Sequence, residues 1–222
     1  MNRQRFLPLA LGLVTLVRFL LLATRELSPV EAHAALCAAV PDWWYPLTGP
    51  MLPLWMKVST TVFGMNEFGV RFFAPLLMLG SGWLVWKISR GLFDATTAAW
   101  AAILFQITPV VNLAAVNFTN STLAIAGSTA MLAVLRLALH RTHRFHLHWW
   151  AVSGVAILIF FTDWRLGLAM AMSSAGSLTL TRRGRNALLK WPVLPILGVS
   201  LVLAITIFLA WNSEHRWTAF AF

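Results

Sequence analysis

The sequence predicts an all-α integral membrane protein with about seven transmembrane helices and short interfacial helices in its first outer loop. Three observations predict it. First, 59% of the 222 residues are apolar and 11% are charged, where a soluble domain carries about 25% charged residues. With a mean hydropathy of +0.74, there is too little polar material to cover a water-facing surface. Second, the apolar runs are long and continuous. Hydrocarbon demands helices or a closed barrel, because every backbone N–H and C=O needs an internal partner, and barrel strands would alternate apolar and polar residues. Third, Lys and Arg sit in short clusters between the runs, as topology-setting charges do.

A span needs about twenty apolar residues. Seven runs qualify as expectations: 6–24, 70–88, 95–113, 121–139, 149–163, 166–181 and 191–211. Residues 6–24 read as a retained first span, since no signal-peptide cleavage site follows them. The fifth and sixth runs are short and nearly fused at Asp163-Trp164-Arg165, where a re-entrant hairpin is the alternative to two spans. Residues 25–69 form the longest stretch between spans. Pro41, Pro46, Pro50 and Pro53 break it, and Trp43, Trp44, Tyr45, Trp55, Phe63 and Phe68 punctuate it. Trp and Tyr favour the headgroup level, so 29–40 and 51–63 are expected as interfacial helices, anchored by Trp43, Trp44 and Trp55. No repeat or soluble domain interrupts the pattern, and residues 1–222 read as a single polytopic membrane domain.

The net charge of +10 does not indicate nucleic acid, because the basic residues do not gather on one soluble face. With the N-terminus inside, Arg3, Arg5, Lys87, Arg90, Arg136, Arg141, Arg144, Arg182, Arg183, Arg185 and Lys190 are cytoplasmic. Arg25, Lys57, Arg71, Arg165 and Arg216 lie outside, and Arg18 falls within the first span. Six acids (Glu26, Glu31, Asp42, Glu67, Asp163, Glu214) lie outside and Asp94 inside. The single cysteine, Cys37, matches no disulfide or metal spacing. His140, His143, His146 and His148 lie beside Arg141 and Arg144; cations there oppose a metal and suit anionic lipid instead. Asn117-Phe118-Thr119 and Asn120-Ser121-Thr122 match glycosylation acceptors by chance, at a membrane boundary.

Charges in or beside spans are functional candidates. Arg18 is the deepest, with a packing ion pair or snorkelling as its alternative use. Glu26 and Glu31 follow the first span, and Asp163 and Arg165 sit at another outer boundary. A carboxylate there suits a general base or a divalent metal near phosphate; an exposed loop acid is the plain alternative.

Several short segments, in order, resemble bacterial family-39 glycosyltransferases. These are GT-C membrane enzymes related to protein mannosyltransferases and lipid A aminoarabinose transferases. Ser28-Pro29-Val30-Glu31-Ala32 stands where the family has Pro-Asp-Glu-Ala. Tyr45 to Leu52 matches a Tyr-x-x-His-Pro-Pro-Leu segment, and Phe63-Gly64 with Glu67-Phe68-Gly69-Val70-Arg71 matches the entry to the second span. Asn120-Ser121 falls at a Pro-Asp-Ser, and Trp211 to Phe222 matches a Trp-Asn…His…Trp…Phe segment. The resemblance implies a GT-C-like fold and sugar transfer from a polyprenyl-phosphate donor on the outer face. In that setting Glu31 is the candidate catalytic acid or base, and Arg71 and Arg18 are candidates for donor-phosphate or lipid binding.

The departures change the expected activity. Val30 replaces the family's first Asp, Thr48-Gly49 an Asp-His, Asn120 a second Asp, and Asp163 a Lys. The expected protein is therefore a degenerate, non-catalytic GT-C-like chain acting as a structural or accessory subunit of a larger membrane assembly. The alternative is an active polyprenyl-phosphate-sugar-dependent transferase using Glu31. A small transporter is the third reading, and Arg18, Asn112 and Asn117 supply few polar groups for one. No cofactor is expected, and a divalent metal enters with the active reading alone. Expected partners are membrane lipids and other proteins of the assembly, with no nucleic acid. Relatives continue beyond the point matching residue 222.

The expected location is a bacterial cytoplasmic (inner) membrane, with the N-terminus cytoplasmic and the C-terminus outside. Cysteine accessibility labelling at Ser177, Asn186 and Ser213 checks this orientation. Asn186 is expected to label from the cytoplasmic side, and its labelling from the outer side contradicts it.

Overall fold

The computed structural model describes residues 3–40, 42, 44–45, 49–140, 145–190 and 193–215, with backbone alone at 3–6 and 145–146. The described residues are mostly helical and contain no strand. The chain divides into two compact units, Met1–Pro41 with Leu52–Thr129, and Asp42–Met51 with Ala130–Phe222.

The first unit begins with α1 (Arg3–Leu21) and a 3-10 turn at Leu22–Thr24. α2 (Pro29–Ala39) starts at a capping box. The Ser28 hydroxyl accepts from the Glu31 N–H while the Glu31 carboxylate accepts from the Ser28 N–H, and Pro29 occupies the first turn, where its missing N–H costs nothing. α3 (Met51–Phe63) follows, so both helices expected in the first outer loop are present. The Asn66 side chain caps α4 (Glu67–Arg71) by accepting from the Gly69 N–H. α5 (Phe73–Arg90) ends at Gly91. Asp94 caps α6 (Ala95–Ile107) by accepting from the Thr96 and Thr97 N–H groups. Pro109 then breaks the helix, and α7 (Pro109–Val116) leaves at 61° to α6. α1 packs against α5, α6 and α7, and α5 against α6 and α7. Buried Met78, Val111, Ala114 and Ala115 fill one core, and Leu7, Leu11 and Ala102 another. Close approach of α5 and α6 rests on Gly82, where a Cβ would overlap the Gln106 side chain.

The second unit carries the later part of α8 (Asn120–His140), α9 (Phe145–Thr162), α10 (Trp164–Leu180), α11 (Arg182–Leu188) and α12 (Val193–Glu214). α9 packs against both α10 and α12. Trp149, Met131, Leu135, Ile159, Leu178, Val193 and Ile196 lie in its main core. Asp163 ends α9 and caps α10 by accepting from the Arg165 N–H, so the expected weak boundary is a true helix break.

Helices occupy all seven expected spans, but length and composition qualify four of them as crossings, or five if the bent α6–α7 pair is one span. Leu147–Thr162 is apolar but shorter. α10 carries Gly167, Ser173, Ser174, Gly176 and Ser177, which lower its hydropathy. The interfacial-anchor expectation also changes. Trp44 is 2% exposed, edge-on to Phe161 and Phe208 at 5.7 and 5.0 Å. Trp55 is half-buried against Phe73, with ring centroids 4.7 Å apart. Aromatic packing therefore encloses the Trp44 ring, which leaves it no surface for a headgroup, while Trp55 keeps a partly exposed face. Trp43 lies outside the described residues.

Gly82→Leu is expected to push α5 from α6 and displace a Gln106 side chain already held by two partners. Thermal unfolding in detergent should show a loss of about 1–3 kcal/mol, the usual range for overpacking. An unchanged melting temperature would contradict this packing.

Candidate functional site

Glu31 and Arg71, two of the three candidates chosen from sequence, form a buried ion pair. Their side chains are 0% and 2% exposed. α2 positions Glu31 through its capping box, and Arg71 closes α4. Arg71 Nε donates to Glu31 Oε1 at 2.8 Å, and Nη2 donates to Oε2 at 2.8 Å. Nη1 donates to the carbonyls of Leu22 (3.1 Å) and Arg25 (2.8 Å), and Nη2 donates also to that of Glu26 (2.7 Å). These bonds use all the N–H donors of a guanidinium. The three carbonyls belong to the 3-10 turn and the extended backbone that follow α1, outside the α-helical ladder.

Glu31 is equally occupied. Oε1 accepts from Arg71 and from the Phe118 N–H at 2.8 Å; Oε2 accepts from Arg71 and from the Ser28 N–H at 2.9 Å. A carboxylate offers about four acceptor positions, and all are filled. Burial by itself pushes the Glu31 carboxyl up, but the hydrogen bonds from Arg71, Ser28 and Phe118, with the Arg71 charge, outweigh it and hold the group below the usual carboxylate range. No acceptor position remains for a divalent metal. Among the described residues, no group of three or more His, Cys, Asp or Glu side chains stands together to hold one.

Arg18 is 3% exposed. Its Nη1 donates to Gln106 Oε1 (2.5 Å), and its Nη2 to the Gln106 carbonyl (2.8 Å) and Asn112 Oδ1 (2.7 Å). Gln106 in turn donates from Nε2 to the Met78 carbonyl at 2.6 Å. Arg18 therefore braces the α6–α7 break, donating to the Gln106 carbonyl, which lies in the last turn of α6 where carbonyls lack their helical donors. Beside it lies a cavity of about 600 Å³ lined by Leu13, Val14, Val17, Arg18, Leu21, Arg25, Arg71, Pro109, Asn112, Leu113 and Val116.

The other candidates do not join this cluster. Val30 is 51% exposed on α2, turned away from the buried Glu31 beside it. The Glu26 side chain is exposed and contributes its carbonyl alone. Asp163 serves as a helix cap. Gly49 has φ +59°, and a Cβ there would overlap the Phe161 and Thr162 carbonyls, so glycine answers a packing need at this position. In the Trp211 to Phe222 segment, Trp211 and Asn212 are buried within α12, and residues 216–222 lie outside the described ones. Gln106, the Phe118 N–H and the three carbonyls were not identified from sequence. A glutamine inside an apolar run three residues before a proline was a readable signal for the first; backbone groups carry none.

Removing the Glu31 side chain leaves the buried guanidinium without its counter-ion. Glu31→Ala is expected to cost about 3–5 kcal/mol in detergent unfolding. The sign of its pH dependence follows from the depressed folded pKa. The stabilisation is complete above the unfolded carboxylate value of about 4.3 and is lost as pH falls through the lower folded value. Melts between pH 7 and pH 3 should show an acid-side loss in the native chain that Glu31→Gln diminishes.

The sequence matches the dolichyl-phosphate-mannose-protein mannosyltransferase family over residues 46–211. The fold is similar to the crystal structure of ArnT from Cupriavidus metallidurans in the apo state, with a TM-score of 0.73 and 21% identity. That likeness covers 96% of this chain and 42% of the other, so this chain spans less than half of that protein's length. No curated protein sequence matches it. The all-helical, ArnT-like membrane fold and the family match agree with the resemblance read from the motifs. This chain is a GT-C-like membrane protein and belongs to the dolichyl-phosphate-mannose-protein mannosyltransferase family.

Proposed function

We propose that this chain keeps the membrane scaffold of its family without the transfer chemistry, and acts as a structural or accessory subunit of a membrane assembly in a bacterial inner membrane. One observation carries the reading: Glu31, the acid surviving in the resembled acidic segment, is 0% exposed and accepts four hydrogen bonds. A general base must reach the proton it removes. Glu31 reaches none, and its depressed pKa makes it a weaker base. The exposed neighbour that occupies the family's Asp position is Val30, which cannot take a proton. Arg71 has no N–H free to offset a leaving phosphate. Together these two residues serve as a brace.

The family match gives the competing reading, an active lipid-linked-sugar transferase on the outer face with the N-terminus cytoplasmic. In that case a group other than the engaged Glu31 carboxylate must act as base.

The deciding experiment supplies a polyprenyl-phosphate sugar to the purified chain and follows transfer and donor hydrolysis. No turnover above a protein-free control is expected. Loss of a positioned acid–base group typically costs about 10²–10⁴ in rate, and Val30 is one such loss. Turnover by the native chain would contradict the proposal and establish the active reading.

A further inference from the structure

The cavity beside Arg18 is not explained by the brace or by the proposed scaffold role. Its walls are apolar. Leu13, Val14, Val17 and Leu21 form one side along α1, and Leu113 and Val116 of α7 face them. From Leu13 to Leu21 the α1 wall runs for about 12 Å at helical rise. Leu13, Val17, Leu21 and Leu113 are between 47% and 64% exposed, so the groove opens sideways, towards where lipid chains lie.

The charged side chains in the groove have one sign. Arg18 lies partway along the wall and Arg25 follows its last apolar residue; the lining holds no acid. Arg71 also lines it, but Glu31 balances its charge. Arg18 is bound by neutral amides and a carbonyl, and no carboxylate pairs with it among the described residues. Its buried Nε has no hydrogen-bond partner. Arg25 is exposed and also lacks an ion pair among the described residues. The C-terminal end of α6 supplies about half a negative charge to Arg18 and leaves the rest uncompensated. A buried cation needs a counter-charge.

We propose that this groove binds an anionic phospholipid of the surrounding leaflet, one chain along α1 and α7 and the phosphate at Arg18 and Arg25. A free inorganic anion would have to leave water for a mostly apolar trough, which is costly. A zwitterionic lipid brings its own cation next to two arginines. A lipid with a net negative phosphate headgroup satisfies both the wall and the charge. It would also rest against the α6–α7 bend that Arg18 holds.

Native mass spectrometry in mixed micelles tests the site, with phosphatidylglycerol, phosphatidylcholine and inorganic phosphate as probes. Phosphatidylglycerol should be retained in preference to phosphatidylcholine by about 25-fold, near what two basic groups at about fivefold each supply. Arg25→Gln should reduce the preference about fivefold. Val17→Trp fills the groove from a lipid-facing position and should abolish it, with the melting temperature in lipid-free detergent unchanged to show that the variant folds. Arg182→Gln/Arg183→Gln on α11 should leave it intact. Equal retention of the two phospholipids would overturn the proposal. So would a preference that survives Val17→Trp, or one that disappears with the α11 charges. Competition by inorganic phosphate at millimolar concentration would assign a simple anion in place of a lipid. Stoichiometric displacement by a polyprenyl monophosphate would replace the assigned occupant with that lipid.

Discussion

The Glu31–Arg71 pair ties together four separate pieces of the first unit. The carbonyls of Leu22, Arg25 and Glu26 belong to the exit from α1, Ser28 and Glu31 to the start of α2, Arg71 to the end of α4, and the Phe118 N–H to the turn before α8. None of these connections is local apart from the capping box. A buried ion pair is often no more stabilising than a well-packed apolar substitute, because both charges must leave water. Its value here is geometric. The full set of guanidinium donors and carboxylate acceptors specifies one arrangement of the four segments, and any other arrangement leaves a charge or a backbone group unpaired. That constraint fixes how the chain passes from α1 into α2, and it engages both oxygens of the Glu31 carboxylate.

Arg18 repeats the device one layer away. Both arginines donate to backbone carbonyls at a helix exit, Arg71 to those just beyond α1 and Arg18 to that of Gln106 in the last turn of α6. The two differ in charge balance. Arg71 has a carboxylate, whereas Arg18 has Gln106 and Asn112. Neutral amides satisfy hydrogen bonds without cancelling charge, so the Arg18 site remains electropositive. The distinction separates a closed brace from a site with unused capacity for an anion.

Much of the architecture was legible because its causes are local. Apolar runs announced the helices, the stretch 29–40 announced α2, and Asp163-Trp164-Arg165 a boundary between α9 and α10, whereas the capping box that starts α2 was not read. The two helices expected at 29–40 and 51–63 appear at nearly those boundaries. The span count was less legible: a continuous run conceals the 61° bend at Pro109, and small polar residues dilute α10. Trp44 shows a different limit. An aromatic ring suits a headgroup boundary or a packed core equally well, and its Phe160, Phe161 and Phe208 neighbours come from distant sequence. Glu31 and Arg71 stood out individually as charges near spans. Their mutual saturation did not, because most of the atoms that saturate them are backbone groups with no sequence signature.

A double-mutant cycle on Glu31 and Arg71 tests most directly that they form one brace. Detergent unfolding of Glu31→Ala, Arg71→Met and the double variant yields the coupling energy. A single brace requires each single change to be strongly destabilising and the double to cost less than their sum, by about 1–3 kcal/mol. Additive effects, or single variants within about 0.5 kcal/mol of the native chain, would contradict it.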